Sequence, residues 1–598
     1  MTKAHSFHIP VMGIGFTIDT PLKVAPYGID SVISLVDDIL FEKLRKMYSE
    51  KFELPYQEIT EKNEDFRAKR ITAYLNFINY QTEKKFQELK NTASEISQDL
   101  KDYIEMLPDS SVIKKSFNQF KDKYFNIDDF KNWIHNHIKM GSIDVNIMTK
   151  LDKVNYKNGE QLANEYNDAH AALRGFANSD LNSSIVFSAG MNPRLYSYME
   201  QFADFYPDEN GNIKKKIILK VSDYRSALIQ GKFLAKKGLW VSEYRIESGL
   251  NCGGHAFATD GFLMGPILAE FKDKRDELIQ STYEILVDSL LTKNYTIPNS
   301  TLPLLITAQG GVGTAEEHQF LLDHYQIDAV GWGTPFLLVP EVTNVDEFTL
   351  QKLIDAKEED LYLSNISPLG VPFNSLRGNT KDAEKLSMIE SGKPGSSCPK
   401  KYLVSNTEFT KKAICSASRK YQNLKLNEIE QLEISAEAKK NNFDQIVDKS
   451  CICVGLGTSV LLINNISTKT EGTGVSICPG PNMAYFSKIV SLKEMINHIY
   501  GRTNIIERTD RPHMFVKELY AYLDYLSDKI EEAKTSMSDS QVKYLTKFAN
   551  NLNDGIEYYN TMFSDLKNKF ESSKSNIIKE LNTSLNTLKH LKLEIQKI

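Results

Sequence analysis

Short apolar runs recur along the chain. HIPVMGIGF (8–16) and DSVISLVDD (30–38) come first, and SIDVNIMTK (142–150), SSIVFSAG (183–190), KIILKVSD (216–223) and GLWVSEY (238–244) follow. LPLLITAQGG (302–311) and DAVGWGTPFLLV (328–339) are the last two. Runs of this length, apolar and bounded by glycine or polar residues, predict buried strands. Helical stretches such as RSALIQGKFLAKK and AEEHQFLLDHY stand between several of them. The alternation predicts a parallel sheet with helices outside it, and eight strands predict a closed (β/α)8 barrel. A doubly wound open sheet is the alternative.

Two regions break the alternation. Residues 41–138 are charged, glycine-poor and helically periodic, as in YLNFINYQTEKKFQELKNTASEISQDLKDYIEML, and read as a helical insertion. The barrel would then be built from 1–40 and 139–380. Residues 381–511 form a mixed region with glycine-rich turns, and 512–598 a helical C-terminal region. In that last region Phe515, Leu519, Leu523, Leu526 and Ile530 share one helix face. So do Leu545, Phe548, Leu552, Ile556, Tyr559, Phe563, Leu566 and Phe570. The stripe reads as a seam packed on its own domain, with a homodimer contact as the sharper alternative.

Composition narrows the class. The chain has 598 residues, 41% hydrophobic and 25% charged, as in a folded water-soluble protein. Its formal net charge of -6 gives no reason to expect nucleic acid or an anionic membrane as partner. No apolar run approaches the roughly 20 residues that span a bilayer. The opening MTKAHSFHIPVMG lacks the order of a signal peptide. A cytoplasmic location and a small-molecule substrate are the expectation.

The candidate chemistry lies in three glycine-bearing loops after the last three predicted strands: GLNCGGH, AQGGVGTAEE and GWGTPF. A parallel barrel builds its active site at the C-terminal ends of its strands and commonly holds phosphate on the last loops. GGVGTAEEHQFLL fits that role, because bare glycine N–H groups and a helix N-terminus both face an anion well.

These motifs resemble a known family. Gly249-Leu250-Asn251-Cys252-Gly253-Gly254-His255 is similar to the G-x-E-A-G-G-H segment of the nitronate monooxygenase (2-nitropropane dioxygenase) family, FMN-dependent (β/α)8 barrels whose superfamily includes the flavin-type enoyl reductases. Ala308 to Thr314 resembles the family's A-A-G-G-I-A-T phosphate loop, and Gly333-Thr334-Pro335-Phe336 its G-T-R-F. Pro10-Val11-Met12-Gly13 resembles the first strand and its turn, Val145-Asn146 a strand-three G-V-N, and Gly370 to Asn379 a segment just past the barrel. The likeness covers about 1–40 and 140–380 and departs at Asn251, Cys252 and Pro335. It implies an FMN-dependent oxidoreductase acting on a small carbon acid such as a nitronate. The alternatives are a flavin enoyl reductase and a non-catalytic barrel scaffold that binds a protein partner through its helical additions. The resemblance places Met12, Gly13, Asn146, Lys220, Gly253, Gly254, Gly310, Gly311, Gly333 and Thr334 around FMN. It makes His255 the base, since imidazole titrates near operating pH; the alternative is a histidine that only hydrogen-bonds the cofactor or its loop. Lys220 would place positive charge at the flavin's electron-rich edge, or else sit solvated at a strand end.

Five of the six cysteines fall between Cys398 and Cys478. Cys451 and Cys453 would share one face of a strand. Cys398, Cys451, Cys453 and Cys478 are the candidate ligands of an iron–sulfur cluster or a zinc ion, with Cys415 spare. Their spacing matches no ferredoxin pattern, and inert buried thiols are the alternative.

Overall fold

The computed structural model describes residues 3–91, 97–121, 127–188, 190–251, 260–533 and 538–597. Eight strands close into a barrel: β1 (Phe7–Ile9), β2 (Asp30–Ser34), β3 (Ile143–Ile147), β4 (Ser183–Phe187), β5 (Lys215–Val221), β6 (Val241–Glu247), β7 (Leu305–Gln309) and β8 (Ala329–Gly331). Each pairs in parallel with its neighbours in sequence. β1 closes the ring on β8 through Phe7 beside Val330 and His8 beside Gly331. The closed barrel expected from the apolar runs is therefore present, and the open sheet is not. The first and last strands fall furthest short of their runs. Pro10 has no N–H to give a ladder and ends β1, while Pro335 starts a short 3-10 turn (Thr334–Leu338) that ends the run of β8.

Alternation along the strands fills the interior. Val11, Val32, Val186 and Ile218 form a small apolar cluster of their own inside the barrel. The other interior layer is polar. Glu243, Arg245 and Glu247 lie at alternate positions of β6, and the first two are 2% exposed. Arg245 donates from Nε and Nη2 to Glu243 Oε1 at 2.9 and 2.7 Å, and the Thr307 hydroxyl donates to the same oxygen at 2.6 Å. Lys3 ties Asp30 at 3.1 Å and stands 3.9 Å from Glu243.

Residues 41–138 contribute helices of two kinds. Asp38–Lys51 and most of Phe66–Lys90 pack in the main core through Leu40, Phe41, Leu44, Ile71, Tyr74 and Ile78. Residues from Phe86 to Ile138 gather a separate small core around Leu100, Tyr103, Phe130, Trp133 and Ile134. Past the barrel an antiparallel pair, Leu361–Ser364 and Phe373–Leu376, leads into further helices. The segment ICVGLGTSVLLI is helix Ile452–Ile463, so Cys451 and Cys453 do not lie on a strand. It is apolar on every side, which removes the helical period from the sequence, and its first ten residues are buried. This helix lies across the turn after β1, where the Gly15 N–H donates to Leu456 O at 2.9 Å. A side chain at Gly15 would meet Val460 Cγ1 at 3.0 Å and the Gly457 backbone at 3.1 Å, so the close approach needs glycine at 15. Among the described residues no single helix is long and apolar enough to cross a membrane.

Three long helices, Met514–Ala533, Asp539–Asp565 and Lys574–Lys597, finish the chain. Their stripe from Phe515 to Phe570 is buried within the chain, apart from the half-buried Leu566.

Candidate functional site

A cavity opens at the C-terminal ends of the strands, where the parallel barrel aims its loops. Gly13, Asn146, Lys150, Lys220, Glu247 and Asn251 line it from the barrel side, and Phe373, Leu403, Ile452, Cys453 and Leu456 roof it from the added region. Three residues that the sequence placed around a flavin, Gly13, Asn146 and Lys220, thus meet at one cavity. Gly13 has φ +64, a turn that turns the backbone toward the cavity at little steric cost only for glycine. Asn146 is 7% exposed and its Oδ1 has no hydrogen-bond partner. A buried amide oxygen left unpaired costs free energy, and a ligand N–H would satisfy it.

Lys220 is held, not solvated. Its Nζ stands 2.9 Å from Glu247 Oε1, and the same oxygen accepts from Asn251 Nδ2 at 2.6 Å and Gln309 Nε2 at 2.6 Å. Three donors from three different strand ends converge on one carboxylate oxygen, so the lysine head is fixed at the rim of β5. Lys150 also lines the cavity; burial pushes its ammonium below the ordinary value while Glu247 opposes the shift. The functional reading of the loops missed Glu247, although Glu243, Arg245 and Glu247 at alternate positions already put a charged face of one strand inside the barrel. It also missed the roof, which comes from segments more than a hundred residues downstream.

The expected phosphate loop is built differently. Gly310 (φ +113) and Gly311 (φ +83) pack directly on the loop after β6, where added side chains would meet Asn251 N at 3.1 Å and Leu250 Cδ1 at 2.7 Å. At the start of helix Ala315–Tyr325 the Gly313 and Thr314 N–H groups donate to Glu317 Oε2 at 2.9 and 3.2 Å. Arg511 closes over that carboxylate at 2.7 Å and donates to Gly311 O at 2.8 Å. Burial would raise the Glu317 carboxyl, but the charges of Arg511 and His513 hold it below its usual range. An internal carboxylate therefore occupies the helix N-terminus that the sequence offered to an anion. Thr334 accepts from the Gly480 N–H at 3.2 Å, beside Gly333 at the end of β8. Met12 is 1% exposed, and its N–H donates to the Thr17 hydroxyl at 3.2 Å; it does not line the cavity.

Gly253, Gly254 and His255 lie outside the described residues. The flanks of their segment are clasped by the C-terminal helices. Gly249 packs on Tyr522, Asn551 Nδ2 donates to Asp260 O at 2.6 Å, and Glu518 Oε2 accepts from the Met264 N–H at 2.9 Å. Burial pushes the Glu518 carboxyl up to about 7, although hydrogen bonds from Met264, Ser248 and Tyr559 pull it down. A carboxyl raised from 4.5 holds its proton more tightly in the folded chain. Its contribution is therefore full below about 4.5 and is lost as pH rises through about 7. Glu518→Gln, which stays neutral, should gain stability over the parent as pH rises across that window, by roughly 3 kcal/mol at most. Melting temperature against pH reads this out, and a difference between the two proteins that does not grow with pH would refute it.

All five described cysteines are free and buried. Cys415, expected to be spare, lies near Cys398, and Cys451 near Cys453. Cys478 stands on the run from Ser476, whose N–H donates to Gly455 O, to Gly480 at Thr334. No group of three or more His, Cys, Asp or Glu among the described residues could hold a single metal ion as it stands.

No family model matches the chain, and no curated protein matches it. Solved structures similar to it include the enoyl reductase domain from the macrolactin biosynthesis cluster of Bacillus amyloliquefaciens, at 14% identity and a TM-score of 0.33, over 70% of this chain and 88% of that one. Another is the nitroalkane oxidase from Streptomyces ansochromogenes, at 10% identity and a TM-score of 0.34, over 83% of this chain and 96% of that one. The barrel assignment rests on the strand pairing itself.

Proposed function

We propose that this chain is a flavin-dependent oxidoreductase of nitronate monooxygenase type, with FMN as cofactor and a small carbon acid as substrate. The observation that carries the reading is the meeting of Gly13, Asn146 and Lys220, named from sequence motifs alone, at one cavity over the C-terminal ends of the barrel strands. The residues fit the ring end of the group. Gly13 makes a left-handed turn at the cavity wall, the unpaired Asn146 Oδ1 can accept a ring N–H, and Lys220 offers a fixed positive charge. The phosphate end cannot use the helix start at Gly313 and Thr314, which Glu317 caps.

Bound FMN would supply the two-electron acceptance that amino-acid side chains lack. The chain does the rest. Lys220 pairs with Glu247, so the lysine head stays oriented at the cavity rim. Lys150, with its proton held less tightly by burial, can hold or release a proton at Nζ beside the substrate. By the family resemblance His255 takes the substrate's carbon-bound proton. Phe373, Leu403 and Leu456 exclude water from the roof.

Mass spectrometry of the cofactor released from protein expressed with added riboflavin tests the assignment. FMN is expected, and not FAD, because the sequence carries one phosphate loop and no G-x-G-x-x-G dinucleotide fingerprint. A colourless protein with no released flavin ends the oxidoreductase reading and leaves the scaffold.

A further inference from the structure

Four residues stand in one register row across the barrel wall. His8 on β1 pairs with Gly331 on β8, Gly331 with Gln309 on β7, and Gln309 with Glu247 on β6. Paired positions of neighbouring strands turn to the same face of a sheet, here the barrel interior. Gly331 brings no side chain to that row. A Cβ there would stand 2.5 Å from Gln309 Cβ and 2.9 Å from His8 Nε2, so the glycine lets the side chains of β1 and β7 meet across the strand between them. His8 Nε2 and Gln309 Oε1 meet there at 3.4 Å.

The far end of the amide assigns the proton in that contact. Gln309 Nε2 donates to Glu247 Oε1 at 2.6 Å and to Asn251 Oδ1 at 3.3 Å, and Asn251 Nδ2 donates to the same Glu247 oxygen at 2.6 Å. Turning the Gln309 amide over would set its carbonyl against the carboxylate. Its oxygen therefore faces His8, and His8 is the donor, with Nε2 protonated and Nδ1 bare. Nδ1 has no hydrogen-bond partner. Burial, and after it the charge of Arg245, holds the imidazole well below its ordinary value, so the ring is uncharged.

His8 and Gln309 are 2% and 1% exposed, and neither lines the cavity. Closing the barrel does not ask for a histidine here, since β1 pairs through its backbone and Phe7 and Ile9 supply its packing in the main core. An apolar residue in its place would leave Gln309 Oε1 buried without a donor, and an amide so placed shifts to find one. Gln309 is one of the three donors on Glu247 Oε1, so its shift reaches the oxygen that holds Lys220 at 2.9 Å.

We infer that His8 is a positioning residue for the cavity rim: its Nε2–H holds Gln309, Gln309 holds Glu247, and Glu247 holds the Lys220 ammonium at the cavity. That the fixed lysine serves a flavin rests on the proposed function; that His8 fixes it does not.

The test is competitive acetylation of the full-length chain with trace acetic anhydride, without cofactor, read lysine by lysine by peptide mass spectrometry. Lys220 and Lys215 lie toward opposite ends of β5, and Lys215, buried on Ser179 O and Leu181 O, reports on the fold as a whole. In His8→Leu, Lys220 should label about tenfold faster than in the parent, the scale of one buried acceptor losing its donor, while Lys215 stays unchanged. His8→Gln, which carries an N–H at a similar reach, should restore the parent rate. In a Gln309→Met background the His8→Leu change should add little, because the link it acts through is already gone. A rise at Lys220 below about threefold, well short of a lost hydrogen bond, would overturn the inference. So would an equal rise at Lys215, no rescue by His8→Gln, or a full effect without Gln309. The parent alone carries a second test: its ¹⁵N spectrum should show His8 protonated at Nε2, and a proton at Nδ1 instead would also overturn it. In flavin-loaded protein His8→Leu should lower the flavin potential and His8→Gln should keep it. A parent that binds no flavin would fail the proposed function alone, because the labelling is read without cofactor.

Discussion

Replacing Arg245 with alanine is expected to cost roughly 3–5 kcal/mol of folding stability, the usual penalty for leaving one partner of a buried ion pair alone. The guanidinium is buried inside the barrel and makes two bonds to one oxygen of Glu243. Without it the carboxylate keeps only the Thr307 hydroxyl and Lys3 at 3.9 Å. Burial alone would raise the Glu243 carboxyl, but Arg245, Lys3 and His8 outweigh it and hold it at about 2. A depressed carboxyl stabilises the fold above its unfolded value of 4.5 and loses that contribution as pH falls through about 2. In Arg245→Ala the carboxyl should titrate higher, so the deficit relative to the parent shrinks in acid as it protonates. Urea unfolding at neutral and acid pH measures both effects. The double variant Glu243→Leu/Arg245→Met should recover most of the loss, because apolar residues of similar size can replace a buried pair at little cost. A single-variant loss under about 1 kcal/mol would mean that water reaches Glu243 through the barrel floor.

The second large effect belongs to Lys220. Lys220→Met keeps the side-chain length and removes the charge, and turnover of a flavin-loaded enzyme should fall by about 100-fold or more, the scale for losing one preorganised donor. Glu247 retains Asn251 and Gln309 as donors, so the rim should stay folded, and circular dichroism and melting temperature check this. The flavin reduction potential should drop as well, because a fixed positive charge favours the electron-rich form. An unchanged potential with unchanged turnover would assign Lys220 to holding Glu247 and nothing more.

The barrel was legible because its strands are short apolar runs whose boundaries are drawn by glycine and proline. Where the reading overshot, at Pro10 and Pro335, the missing proline N–H had already marked the end. The helix Ile452–Ile463 was not legible as a helix, since residues apolar on every side show no period to count. The cavity floor was legible through motifs in the strand-end turns, and its charged rim could have been read from Glu243, Arg245 and Glu247. The Glu317–Arg511 lock at the presumed phosphate loop could not, because the two residues lie 194 positions apart and only the fold joins them. The same holds for the roof over the cavity.

The pairing of β1 with β8 has a consequence for how the protein is made. Phe7 leaves the ribosome well before its partner Val330, which follows 323 positions later. At about 5–20 residues per second that interval is roughly 15–65 s. Through it the nascent chain carries an unfinished sheet with two bare edges, the kind of surface that recruits other strands. Synthesis, and not the finished fold, is thus the period of greatest exposure to aggregation. A chaperone that shields the N-terminal strand until the eighth arrives would raise the yield of folded protein, and pausing of translation before residue 331 would lower it.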